Sequence, residues 1–86
     1  MKKIEEIDTK EGLESLLGQR VLLICTNYFY SGKLMALNRT CLLLHDAAVV
    51  YETGEWSASS WKDAQLTHRP LYVCLATIES FMPEKP

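Results

Sequence analysis

The chain has 86 residues, 48% of them hydrophobic and 23% charged, a balance that excludes a disordered chain and a length that holds one domain, residues 1–86. Lys and Arg number 9 against 11 Asp and Glu, for a net charge of −2, which excludes holding DNA by bulk electrostatics. The longest uninterrupted apolar run, residues 71–76, is too short for a membrane span, and residues 1–6 turn acidic where a signal peptide would be apolar, so no membrane partner and a cytoplasmic location are expected.

The first predicted element is a helix over about residues 8–17. Asp8 is a candidate N-cap, and Glu11 three residues on completes a capping box. Ile7, Leu13, Leu16 and Leu17 fall on one face, Lys10, Glu11 and Glu14 on the other, and Gly18 is the stop signal. From about residue 20 to residue 82 the chain reads as strand, in five runs: 20–26, 28–37, 41–51, 70–76 and 78–82. The short breaks between them suit antiparallel hairpins. Gly32 lies inside the second run, where a glycine marks a sharp bend or a close backbone approach. The order predicts a mainly β fold, an N-terminal α-helix followed by a strongly bent five-stranded antiparallel barrel.

Several of these strands do not alternate. Val21, Leu23 and Cys25 oppose Leu22 and Ile24, and Leu42, Leu44, Ala48 and Val50 oppose Cys41, Leu43, Ala47, Val49 and Tyr51. Both faces ask for burial, which points to neighbouring subunits covering what one short helix does not. Open strand edges would join such subunits backbone to backbone.

The stretch of about 52–69 is long for a connection in so small a domain. It holds Trp56 and Trp61, and Ser60 with Asp63 offers a cap for a helical turn over 61–65. An extended hairpin is the other reading of this stretch. The three cysteines, Cys25, Cys41 and Cys74, each sit in an apolar run without ligand spacing, so they read as buried, reduced hydrophobes. His45 and His68 add no metal-site spacing, so neither metal nor cofactor is expected. His45 and Asp46 are adjacent on a strand and face opposite sides, and no catalytic constellation stands out, so no enzyme is predicted.

Helix, then five strands with a long connection before the fourth, resembles the Sm-like fold. The first Sm motif is similar to Leu17-Gly18-Gln19-Arg20-Val21, then Tyr30-Ser31-Gly32-Lys33-Leu34, then Leu42-Leu43-Leu44-His45-Asp46-Ala47. The second motif resembles residues 71–82. The resemblance implies an SH3-type small barrel and a ring of roughly five to seven subunits, the fourth strand of one pairing with the fifth strand of the next. It also implies single-stranded RNA as a ligand, bound through an Asp-x-x-x-Asn loop after strand two and an Arg-Gly pair after strand four. This chain departs at both places. Asn38 stands where the Asp would be and Cys41 where the Asn would be, while Cys74 and Leu75 occupy the Arg-Gly positions.

What remains for RNA is Asn38, Arg39 and Thr40 lining the pore of such a ring, with Trp56 or Trp61 stacking on bases from outside. Folding back onto the barrel or a neighbour is the favoured reading of the tryptophans. Tyr28, Phe29 and Tyr30 read as core or interface packing. Two function classes follow. One is an Sm-like ring that binds RNA or acts as an RNA chaperone. The other is a ring-forming scaffold or adaptor that binds protein partners and has lost RNA binding.

Overall fold

The computed structural model describes the backbone of residues 9–84 and the side chains of residues 12–84. The elements are α1 (Thr9–Glu14), β1 (Arg20–Cys25), β2 (Phe29–Leu37), β3 (Cys41–Glu52), β4 (Asp63–Leu66), β5 (Leu71–Cys74), a 3-10 turn (Leu75–Thr77) and β6 (Ile78–Pro83). The Asp8 cap, Ile7, and the side chains of Lys10 and Glu11 lie outside the described residues. The expected helical face is shorter than its sequence pattern. After α1 the chain continues in turns, with Leu16 N–H bonded to Leu13 C=O at 2.9 Å, and Gly18 takes the left-handed conformation at φ 85°. Leu13 is fully buried and Leu16 packs on the core, but Leu17 is swung out to 45% exposure.

All strand pairing is antiparallel, in the order β4-β3-β2-β1-β6, with β5 also on β3. Among the described residues there are six strands rather than the expected five, in an open sheet rather than a closed barrel: β4 and β5 pair only with β3, and β6 only with β1. The extra strand is β4. The stretch 61–65 forms no helical turn, because Asp63–Leu66 instead hydrogen-bonds to the end of β3, Ala48 facing Leu66 and Val50 facing Ala64. The extended-hairpin reading of this stretch holds. Gly54, at φ 70°, turns the chain back beyond Glu52, and Lys62 N–H reaches Thr53 C=O.

One strand serves two partners because β3 is bent. Ser31 pairs with Ala48 but Lys33 pairs with His45, so β3 holds one residue more than β2 across this step. That extra residue makes a bulge, and Asp46 sits at φ 49° within it. Gly32 is the reason the strands can approach here. A Cβ on Gly32 would stand 3.0 Å from Leu44 Cβ, 3.1 Å from His45 O and 3.2 Å from Ala47 Cα. The first half of β3 then pairs with β5, and the second half with β4.

One face of the sheet carries the core, formed by Leu13, Val21, Leu23, Cys25, Leu34, Leu42, Leu44, Ala47 and Val73. Part of the opposite face is buried as well. Leu22 faces Ser31, and Ser31 faces Ala48, and all three are at most 4% exposed in the single chain. The two-sided apolar pattern of β1 is therefore satisfied in part inside the single chain, where the sequence pattern pointed to neighbours. Trp61 and Glu84 reach this face, as their bonds to each other and to Ser31 show. Of the cysteines, only Cys25 is buried; Cys41 is half-buried and Cys74 is exposed, because both alternate away from the Leu42–Val73 core pair.

Candidate functional site

The residues singled out for RNA fall into two groups at opposite ends of β3. Asn38, Arg39 and Thr40 form the turn that opens β3. Trp56 and Trp61 lie in the connection beyond its end.

The turn is organised by the Asn38 side chain. Its Oδ1 accepts from Thr40 N at 2.8 Å, from Thr40 Oγ1 at 3.1 Å and from Cys41 N at 2.9 Å, while Asn38 N–H donates to Cys41 C=O at 3.0 Å. A side-chain amide that closes a turn in this way mimics a backbone carbonyl. With its oxygen taken by three donors, Asn38 has its amide NH2 left to offer to a base. Thr40 C=O in turn accepts from Leu75 N at 2.9 Å, which fixes the turn against the 3-10 segment. Arg39 is exposed at the tip, and among the described residues no hydrogen bond or ion pair engages it. The geometry thus presents one cation on a rigid support.

The tryptophans pack on each other edge to face, with ring centroids 6.2 Å apart at 89°. Trp56 is 52% exposed. Trp61 is half-buried and donates its Nε1–H to Glu84 Oε1 at 2.9 Å. Glu84 also accepts from Arg20 Nε and from Ser31 Oγ, and its backbone N–H donates to Arg20 C=O at 3.0 Å. Arg20 Nη2 completes the cluster by donating to Asp46 C=O at 3.3 Å, at the bulge. Burial pushes the Glu84 carboxyl up, but the hydrogen bonds from Arg20, Ser31 and Trp61 and the charge of Arg20 outweigh it and hold the group below its ordinary value. This cluster ties the tryptophan loop, β1, β2 and the end of the chain together. The sequence gives no local sign of it, since its members lie in separate segments.

Two further groupings depend on the fold. Tyr28 stands edge-on to Tyr30 at 6.4 Å and to Tyr51 at 6.1 Å, an aromatic trio at the hairpin end of β2. His45, Asp46, His68 and Arg69 line a recess beside the bulge, and Asp46 and His68, at φ 49° and 59°, are the non-glycine residues at positive φ among the described residues. Among the described residues no group of three or more His, Cys, Asp or Glu side chains is placed to hold a metal ion, and no helix is long and apolar enough to cross a membrane. Comparison with known proteins finds no family model, no curated protein and no solved structure that matches the chain.

Proposed function

We propose that the chain is a subunit of an Sm-like assembly in which copies pair through open strand edges and the Arg39 turn of each copy contacts single-stranded RNA. The observation that carries this reading is the pair of edges on β5 and β6 that are unpartnered among the described residues, with Tyr72 of β5 at 68% exposure. An open edge offers a row of backbone donors and acceptors to another chain. The chain order also supports the family likeness: the last strand returns through a 3-10 turn to pair with β1, and the glycine of strand two sits at the bend. Repetition around an axis would place several copies of Arg39 together, so a weak contact per subunit sums to a usable one.

The test is a titration of labelled U-rich and A-rich single strands at low and physiological salt. Binding that weakens with salt and is lost on Arg39→Ala agrees with the reading. RNA binding undiminished by Arg39→Ala rejects the site. A second reading, a scaffold for protein partners, is favoured by a specific observation: the acceptor of Asn38 and the indole N–H of Trp61 both serve the fold. It predicts the same assembly, no RNA affinity, and a captured protein partner released by Trp56→Ser.

A further inference from the structure

Cys41 and Cys74 are far apart in the sequence and directly opposite each other in the β3–β5 ladder. Their kind of pairing can be read from the surrounding bonds. Cys41 directs both its N–H and its C=O toward Asn38 on the β2 side, and the bond nearest to the pair on the β5 side runs from Leu75 N to Thr40 O. The pair therefore occupies a site without mutual backbone bonds, which is the closely spaced kind, with Cα atoms about 4.5 Å apart in antiparallel sheets. Disulfides form across Cα separations of about 4.4–6.8 Å. Both side chains lie on the face opposite the buried Leu42–Val73 pair. Cys74 is exposed, Cys41 is half-buried, and both are free thiols.

We propose that Cys41 and Cys74 form a dithiol site that exchanges with low-molecular-weight disulfides. The thiolate of Cys74, the more accessible of the two, attacks one sulfur of the small disulfide and expels one small thiol, leaving a mixed disulfide on Cys74. Cys41 then attacks the Cys74 sulfur and expels the second small thiol. Two protein thiols lose two electrons in total, the small disulfide gains them, and the two protons leave on the two released thiols. A small thiol in excess reverses each step. Closure links the first residue of β3 to the last of β5, one residue away from Thr40 on one side and from Leu75 on the other. The oxidised form thus locks the base of the Arg39 turn, and this holds whether or not that turn meets RNA.

Cys25 supplies an internal control. It is buried at the end of β1, and burial raises its thiol above the ordinary value, more than the hydrogen bond to Thr77 lowers it. The experiment exposes the native full chain to graded ratios of oxidised to reduced glutathione, quenches in acid, alkylates after denaturation and maps the thiols by mass spectrometry. The expected product has lost two hydrogens, carries one alkylated cysteine, Cys25, and yields a Cys41–Cys74 linked peptide. Cys25→Ser leaves this product intact. Cys41→Ser stops at one glutathione adduct on Cys74, and Cys74→Ser forms no intrachain link. Glutathione persisting on Cys74 of the unaltered chain beside an alkylated Cys41 overturns the proposal. So does a link through Cys25 or to a second chain, or a full set of alkylated thiols under excess oxidised glutathione.

Discussion

Replacing Glu84 by Ala removes at one stroke the acceptor shared by Arg20, Ser31 and Trp61. The hydroxyl of Ser31, 1% exposed, keeps only the bond that Arg20 Nη2 donates to it at 3.4 Å, and its own O–H is left without a partner. That buried donor costs about 1–2 kcal/mol. The Trp61 indole N–H is half-buried and regains part of its loss from water, which leaves about 0.5–1 kcal/mol. The Arg20 side chain is 43% exposed, so solvent screens the ion pair and its share is at most about 0.5–1 kcal/mol. Their sum is about 2–4 kcal/mol, an upper range because the three bonds share one acceptor. With a urea slope of roughly 1–2 kcal/mol per molar for a domain of this size, the midpoint falls by about 1–4 M. Urea unfolding followed by tryptophan fluorescence reads both the midpoint and the release of Trp61. Glu79→Ala, an exposed carboxylate on β6, is the control and shifts the midpoint by less than about 0.5 kcal/mol equivalent. Equal shifts for the two variants would mean that Glu84 does not hold Arg20, Ser31 and Trp61 together. The pH dependence follows with a definite sign. Because Glu84 is held below its ordinary value of 4.5 in the folded chain, the unfolded chain binds its proton first as the pH falls. The stabilisation is complete above that ordinary value and disappears as the pH falls through the lower folded value. The acid limb of the stability profile should flatten in Glu84→Gln.

The bend and the turn give further tests. Gly32→Ala drives a methyl against the backbone of His45 and Ala47 at the bulge, and should cost about 1–3 kcal/mol in the same urea assay; a neutral result would mean that the strands do not approach there. Asn38→Ala strips three donors of their acceptor and should cost about 1–2 kcal/mol, whereas Asn38→Asp keeps the oxygen and should stay within about 0.5 kcal/mol of the parent. Arg39→Ala, which loses no hydrogen bond or ion pair among the described residues, should leave stability unchanged within about 0.5 kcal/mol while abolishing any RNA binding.

The strands that sequence reasoning located are those whose residues bury a side chain at nearly every step. β1, with Val21, Leu22, Leu23 and Cys25 buried, and β3, with Leu42, Leu44, Ala47, Ala48 and Val50 buried, follow from their apolar runs. Gly32 was legible too, since the lack of a side chain inside a strand has few physical reasons. β4 was not, because Asp63-Ala64-Gln65-Leu66 is exposed throughout and owes its extended form to the end of β3. The two-sided apolar pattern was visible, but a pattern does not say which chain covers a face, and here Trp61 and Glu84 of the same chain reach over Ser31. The cysteine environments failed for a related reason. Cys41 and Cys74 lie in apolar runs, yet strand alternation turns each away from its buried neighbour, and their opposition depends on a register between distant segments. At the candidate site, the turn was legible as a turn. The commitment of the Asn38 oxygen to that turn was not, because the same residue type suits base contact and turn closure equally.

Both functional readings require copies of the chain to join through the open edges of β5 and β6. The most direct test is the mass in solution at micromolar concentration, measured by light scattering on the eluting particle. Edge-to-edge pairing predicts a particle of roughly five to seven copies of the 9.8 kDa chain, about 50–70 kDa, that narrows to smaller species when Tyr72 or the β6 edge is altered. A chain that stays at 9.8 kDa would contradict it.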